Sequence, residues 1–333
     1  MATKVAINGF GRIGRCLTRI VLDENYFDLV AINCSWDMNS IKYLLKYDSV
    51  HGNFKKEISN DGEDVLIVDG KKIQIIRERE VEKINFNKYG AEVVFECTGA
   101  FLTYEKTKPY LDNGIKKVLL SAPAKDDTPM FVMDVNHETY NNQAIISNAS
   151  CTTNCLAPMA KVLDDNFGIK KALMNTIHAY TATQELHDTK CPKDIRRGRA
   201  AALNLVPSST GAAKSIGKVI PSLLGKVDGQ SVRTSLANVS MLDLTLLVEK
   251  PTSKDEINEA FIKASKNMGE ILGIDYDKCV SSDFNTSTYG CVFVPDLTQM
   301  IDKDFVKVLA WYDNEYGYSY QLHRLAKYVC KGL

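Results

Sequence analysis

Gly9-Phe10-Gly11-Arg12-Ile13-Gly14 follows an apolar run, Val5-Ala6-Ile7, and leads straight into residues 12–22, where apolar side chains recur at helical spacing. The three glycines permit a tight turn, close approach of backbone to a pyrophosphate, and close packing of helix on strand. That combination predicts a strand–turn–helix unit with a dinucleotide-binding turn.

Further short apolar runs follow, at Leu29-Val30-Ala31-Ile32, Val93-Val94-Phe95-Glu96-Cys97, Val118-Leu119-Leu120 and Ala144-Ile145-Ile146. Helical stretches such as residues 104–113 separate several of them. The alternation predicts an α/β fold, a Rossmann-type doubly wound parallel sheet with helices on both faces. One departure is residues 65–76, where Asp69-Gly70 turns an antiparallel hairpin. Past Cys151 the strand-like runs lengthen, at 172–180, 231–248, 291–294 and 306–311, which predicts a mostly antiparallel α+β catalytic domain. A helix over 254–272 opens on the capping box Ser253-Lys254-Asp255-Glu256. The expected division is 1–150 and 151–314, with a C-terminal helix over about 315–333 returning to the first domain. Residues 185–200 are polar and aperiodic and read as a long loop, of the kind usually found at functional sites or interfaces.

Composition narrows the function. The chain of 333 residues has 41 basic and 41 acidic side chains, so no global field draws it to nucleic acid or an anionic membrane. No apolar run approaches transmembrane length, and the N-terminus enters a strand with no signal-peptide pattern. Nine cysteines are scattered and odd in number, as free thiols are; no spacing suits a metal site. A cytoplasmic location is expected.

Ser150-Cys151-Thr152-Thr153-Asn154 places a cysteine where a strand meets a helix, and the positive helix end and its free N–H groups favour thiolate. Five histidines are available as a base; His178, in the strand 172–180, fits either a base or a satisfied core residue. Ser208-Ser209-Thr210-Gly211 fits an anion cradle or an ordinary helix cap. Arg196, Arg197 and Arg233 fit phosphate ligands or surface ion pairs. The acidic residue expected about twenty residues beyond the glycines, to hold a ribose, is missing. Cys34 stands at that strand end, with Asp37 three residues on. Without a carboxylate there NADP is admissible beside NAD.

Taken together, NGFGRIGR (8–15), ASCTTN (149–154), HAYTATQ (178–184), STGAAK (209–214) and WYDNEYGYS (311–319) closely resemble the phosphorylating glyceraldehyde-3-phosphate dehydrogenase family. The resemblance covers essentially the whole chain, in the family's order. It implies that Cys151 attacks the aldehyde of glyceraldehyde 3-phosphate and that His178 takes the thiol proton. A nicotinamide dinucleotide is the oxidant, and inorganic phosphate cleaves the resulting thioester to 1,3-bisphosphoglycerate. It further implies that Gly9, Gly11, Arg12, Ile13, Gly14, Cys34, Arg79, Ser121, Asn314 and Tyr318 hold the dinucleotide. Thr181 and Arg233 would hold the substrate phosphate, and Ser150, Thr152, Arg197, Thr210 and Gly211 the attacking phosphate. The loop 185–200 corresponds to the family's S-loop, which implies a homotetramer.

The departures lean one way. Cys34-Ser35 stands where the NAD-preferring pattern has Asp and often Pro, and Thr189-Lys190 where many bacterial members have Leu-Pro. The rivals are erythrose-4-phosphate dehydrogenase, which lacks the Ser209-Thr210-Gly211 pattern and hydrolyses its thioester, a non-phosphorylating aldehyde dehydrogenase, and a catalytically idle binding protein on the same scaffold.

Overall fold

The structure, a computed structural model, describes residues 2–192 and 194–333; Met1, and Lys193 within the 185–200 loop, lie outside them. The chain forms two compact units: Met1–Phe131, Thr139–Ala149 and Leu322–Leu333 make the first, Val132–Glu138 and Ser150–Gln321 the second.

In the first unit eight strands form one sheet: β1 (Lys4–Asn8), β2 (Asp28–Asn33), β3 (Ile58–Asp61), β4 (Val65–Val68), β5 (Lys71–Ile76), β6 (Val93–Glu96), β7 (Lys117–Leu120) and β8 (Ile145–Ser147). Their order is β3-β4-β5-β2-β1-β6-β7-β8, and the six from β5 to β8 run parallel. β1, β6 and β7 are apolar and buried nearly end to end, as strands covered on both faces must be. Helices α1 (Arg12–Glu24), α2 (Met38–Lys46) and α3 (Tyr104–Asp112) belong to this unit. The strand order reverses between β2-β1 and β6, and in such sheets the crevice at that point, beyond the strand C-termini, takes ligands. Asp69 and Gly70 both adopt positive φ, 47° and 78°, as a type I′ hairpin turn demands. Strand β3, absent from the sequence reading, extends this hairpin at the sheet edge.

The second unit opens on α4 (Cys151–Phe167), then β9 (Ile169–Ala179), β10 (Val206–Ser209), α5 (Ala212–Val219), β11 (Val227–Thr234) and β12 (Ser240–Val248). There follow α6 (Lys254–Asn267), β13 (Leu272–Ile274), β14 (Cys291–Phe293), β15 (Gln299–Ile301), β16 (Phe305–Tyr312) and α7 (Tyr316–Val329), whose residues from Leu322 onward count with the first unit. The sheet order β10-β11-β9-β12-β16-β14-β13 is antiparallel except at β11·β9 and β13·β14. Two sequence expectations need correction. The strand expected over 231–248 is two strands, broken where Val239 takes φ +64°, a conformation no β-branched residue favours. The helix expected over 254–272 ends at Asn267, and Leu272 begins a strand paired with Cys291 of β14, a partner too distant in sequence for local periodicity to register. Its capping box forms as expected, Ser253 and Glu256 bonding each other's backbone N–H.

Candidate active site

Cys151 is the first residue of α4, and Ser150 caps that helix, its Oγ accepting from Thr153 N–H at 3.0 Å. Just before the cap, Ala149 turns the chain through φ +55°, a strained value for a residue with a Cβ, as is common beside reacting groups. The thiol therefore stands at the positive end of a 17-residue helix.

Register sets what faces it. His178 on β9 is paired with Arg233 on the parallel strand β11, so both side chains leave the same face of the sheet. Thr176, two residues back, pairs with Leu242, which pairs with Ala310; Tyr312, two residues beyond Ala310, thus shares that face. Helix α4 packs against these strands. His178 Nε2 lies 3.5 Å from Cys151 Sγ. On the far side of the ring, Nδ1 is 2.7 Å from the Ala179 carbonyl, and Arg233 Nη1 reaches the same carbonyl at 3.1 Å. With its proton on Nδ1 the ring donates to this carbonyl and turns Nε2 as an acceptor toward the thiol; with its proton on Nε2 it accepts from Arg233 instead. Arg233 Nη1 is also only 2.8 Å from Nδ1.

The charges follow from burial. Burial first, and the Arg233 guanidinium second, push the His178 imidazole from 6.5 down to about 3. Burial pushes the Cys151 thiol up, opposed by Arg233. Burial opposes the helix end and the Arg233 charge at the thiol, and with burial and Arg233 both disfavouring imidazolium it draws the pair toward thiol and neutral imidazole. Such a pair passes a proton from sulfur to nitrogen as the sulfur bonds an electrophilic carbon.

Other expected residues belong to the same unit. Thr152 is buried, and its Oγ1 sits 3.0 Å from Tyr312 Oη and 3.9 Å from Cys151 Sγ. The charge of Arg197 is felt by both His178 and Arg233. Arg197 pairs at 3.7 Å with Asp194. Arg233 Nε is buried with no hydrogen-bond partner among the described residues, as suits a guanidinium shaped for an anion. Thr181 Oγ1 is 2.9 Å from Thr183 Oγ1. Thr210 Oγ1 accepts from Ala212 N–H at 3.2 Å across exposed Gly211, which is the N-cap of α5. Asn314 Oδ1 accepts from Ser240 Oγ at 2.8 Å, which leaves the amide NH2 as its donating side. Tyr318 is buried in the first turns of α7.

In the first unit, a cleft of about 300 Å³ is lined by Gly9, Gly11, Asn33, Cys34, Trp36 and Arg79 among others. A Cβ on Gly14 would lie 2.0 Å from the Gly9 carbonyl and one on Gly9 2.8 Å from Thr98 N, whereas one on Gly11 would meet nothing. Gly11 is the N-cap of α1 and supplies no side-chain cap, and a first helical turn entered in this way is a usual cradle for an anion. The turn therefore fits a pyrophosphate. Arg12 itself is paired with Asp48, one of the two contacts measuring 3.1 Å. Cys34 is buried, its N–H bonded to Ile76 O and its sulfur accepting from Trp36 N at 3.4 Å. Asp37 caps α2, accepting from the N–H and hydroxyl of Ser40. Ser121, at the end of β7, bonds the Glu96 carbonyl through its N–H.

The family description "Glyceraldehyde 3-phosphate dehydrogenase, NAD binding domain" matches residues 3–104, and its C-terminal domain matches 150–314. The chain belongs to the glyceraldehyde-3-phosphate dehydrogenase family. It is 48% identical over 333 residues to "Glyceraldehyde-3-phosphate dehydrogenase" of Shimwellia blattae, covering 99% of this chain and 100% of that protein. Proteins of that name from Neurospora crassa and Claviceps purpurea are 48% and 50% identical, each over 99% of this chain and 98% of their own. As a glyceraldehyde-3-phosphate dehydrogenase the chain is an oxidoreductase of glycolysis using a nicotinamide dinucleotide, and these relatives do not favour the erythrose-4-phosphate reading. No helix among the described residues is long and apolar enough to cross a membrane.

Sequence reasoning missed a polar network behind the family's glycine turn. Glu96, buried, accepts from Asn8 Nδ2 at 2.7 Å and Tyr110 Oη at 2.9 Å, while Asn33 Nδ2 donates to Asn8 Oδ1 at 2.7 Å and to the Glu78 carbonyl. Glu78 and Arg79 form part of the cleft wall. The signal was available: Asn8, Asn33 and Glu96 each close an otherwise apolar parallel strand at its C-terminal end, where such sheets build sites.

Proposed function

We propose that this chain oxidises glyceraldehyde 3-phosphate through a Cys151 thioester and passes the acyl group to inorganic phosphate. The observation that carries the reading is the 3.5 Å pairing of Cys151 Sγ with His178 Nε2, an acceptor for the thiol proton when the ring proton is on Nδ1. The sulfur bonds the aldehyde carbon while His178 Nε2 takes the thiol proton. The same imidazolium then donates to the developing oxyanion or takes part in its collapse. When bound, a nicotinamide dinucleotide supplies the acceptor for the two electrons and the hydrogen that the former aldehyde carbon loses. Phosphate adds to the thioester carbon, the C–S bond breaks, and the sulfur regains a proton. Arg233 and Thr181 hold the C3 phosphate. Ser150, Thr152, Arg197, Thr210 and Gly211 serve the attacking phosphate, the Thr210 hydroxyl as a donor. Product formation is expected to require inorganic phosphate. Dinucleotide reduction that continues at full rate through many turnovers without phosphate would instead mean thioester hydrolysis.

Gly9, Gly11, Arg12, Ile13, Gly14, Cys34, Arg79, Ser121, Asn314 and Tyr318 are proposed to hold the dinucleotide. NAD is accepted and NADP with it, because Cys34 itself adds no negative charge where the NAD-preferring pattern has Asp, and the charges of Arg77 and Arg15 act at Cys34 ahead of that of Asp37. Cys34→Asp is expected to lower the NADP-to-NAD ratio of kcat/KM about thirtyfold, the effect of roughly 2 kcal/mol of like-charge repulsion. A native preference for NAD beyond about a thousandfold, roughly 4 kcal/mol, overturns the reading.

The domain division proposed is 1–150 and 151–314, with the C-terminal helix on the first domain. A homotetramer is supported by the second unit's other sheet face, where Leu173 is 67% exposed beside Met241, Thr245 and Leu309. The nine free thiols suit a cytoplasmic location.

A further inference from the structure

We propose that Tyr312 is a positioning residue which turns the Thr152 hydroxyl proton away from Cys151, so that the sulfur keeps its own proton until His178 takes it. The inference rests on the assignment of Cys151 as nucleophile.

Three buried hydroxyls form a chain behind the thiol. Thr176 Oγ1 lies 3.3 Å from the Met241 carbonyl and 2.7 Å from Tyr312 Oη; Tyr312 Oη lies 3.0 Å from Thr152 Oγ1; Thr152 Oγ1 lies 3.9 Å from Cys151 Sγ. We assign the single proton of Thr176 to the carbonyl, which can only accept. Tyr312 must then donate to Thr176, and Thr152 must donate to Tyr312. Toward sulfur, Thr152 presents lone pairs alone. It accepts from S–H and has nothing to offer S⁻.

A donor at that place would stabilise thiolate; the fixed polarity of the chain removes it. Exposures of 4% for Thr152, 0% for Thr176 and 2% for Tyr312 exclude water as a substitute partner. The phenol does not reverse the chain by ionising, since burial holds it far above its ordinary range. The ionisable groups facing the thiol are His178 from β9, Arg233 from β11, Tyr312 from β16 and, one turn along α4, Cys155; Arg197 acts on the first two. Of these ionisable groups only Arg233 draws the thiol toward ionisation; the Thr152 hydroxyl would do the same as a donor to sulfur, and the assigned chain turns that donor to Tyr312 instead. The consequence is a nucleophile kept unreactive toward adventitious electrophiles and ionised only together with attack.

Cutting the chain at either of two points frees the same proton. In Tyr312→Phe, the Thr152 hydroxyl loses its acceptor and turns to sulfur. In Thr176→Val, Tyr312 turns its proton to Thr152, and Thr152 turns its own to sulfur. The measurement is the rate of iodoacetamide alkylation at Cys151 against pH in the intact enzyme, the site read by peptide mass. It needs no substrate, so it fails or succeeds apart from the proposed reaction, which the phosphate requirement tests. Each variant is expected to show a thiol pKa lower by about one unit, because hydrogen bonding to a charged form favours that form. In Thr152→Val/Tyr312→Phe the fall is expected to vanish relative to Thr152→Val. A folded variant of either kind with an unchanged or raised thiol pKa overturns the proposal, as does a fall that survives without the Thr152 hydroxyl. Loosened packing alone would not reverse on removing that hydroxyl.

Discussion

Cys151→Ser is expected to reduce dinucleotide reduction by at least about ten-thousandfold, roughly 5 kcal/mol of lost transition-state stabilisation. The geometry survives, since serine fits where cysteine stood and Ser150 still caps the helix. What fails is the proton. Burial that pushes even a thiol up holds a far less acidic hydroxyl neutral, so serine gives up its proton to His178 far less readily than cysteine does. An oxygen ester, if formed, also retains less of the oxidation energy for transfer to phosphate. Dinucleotide binding is expected to stay as in the native chain, because the glycine turn and its cleft are made by other residues. Initial rates normalised to bound dinucleotide check this. A Cys151→Ser enzyme that keeps more than about one per cent of native turnover would remove Cys151 from the mechanism and favour a reaction with no covalent intermediate.

Local chemistry was legible in the sequence wherever one segment decides it. The glycines of β1–α1 announce their turn because only glycine tolerates a Cβ position 2.0 Å from a carbonyl. Asp69-Gly70 announces a hairpin, and Ser150 ahead of an apolar helical run announces a cap. Non-local pairing was not legible in the same way. Residues 231–248 alternate like one strand, and nothing in that pattern reveals that Val239 is forced left-handed where β11 leaves off and β12 begins. His178 looks like any histidine in an apolar strand; the register that sets Arg233 beside it spans 55 residues. Tyr312 and Thr176 fall at inward positions of alternating strands, where a hydroxyl usually signals only a satisfied core. Their meaning depends on where Thr152 lies, 160 residues from Tyr312. For Ser209-Thr210-Gly211 the helix end falls on Gly211, with Thr210 Oγ1 accepting from Ala212 N–H just before α5.

His178→Asn is expected to slow thioester formation about a hundred- to ten-thousandfold at neutral pH, the usual span for loss of a positioned base. Asparagine keeps a polar side chain on the strand but cannot bind the proton that sulfur releases. The pH dependence follows from the sign of the shift. With its pKa at about 3 instead of 6.5, His178 is neutral throughout the neutral range, so the native acylation rate does not fall as pH drops through 6.5. In His178→Asn the reaction must wait for free thiolate, and burial has moved that ionisation up. The variant's rate therefore rises with pH toward the thiol pKa, and the gap between variant and native enzyme narrows as it does. Single-turnover acylation measured from pH 5 to 10 separates these shapes, with alkylation of Cys151 as the substrate-free control. If acylation and alkylation profiles in His178→Asn match those of the native enzyme, the 3.5 Å contact is a packing contact and the base lies elsewhere.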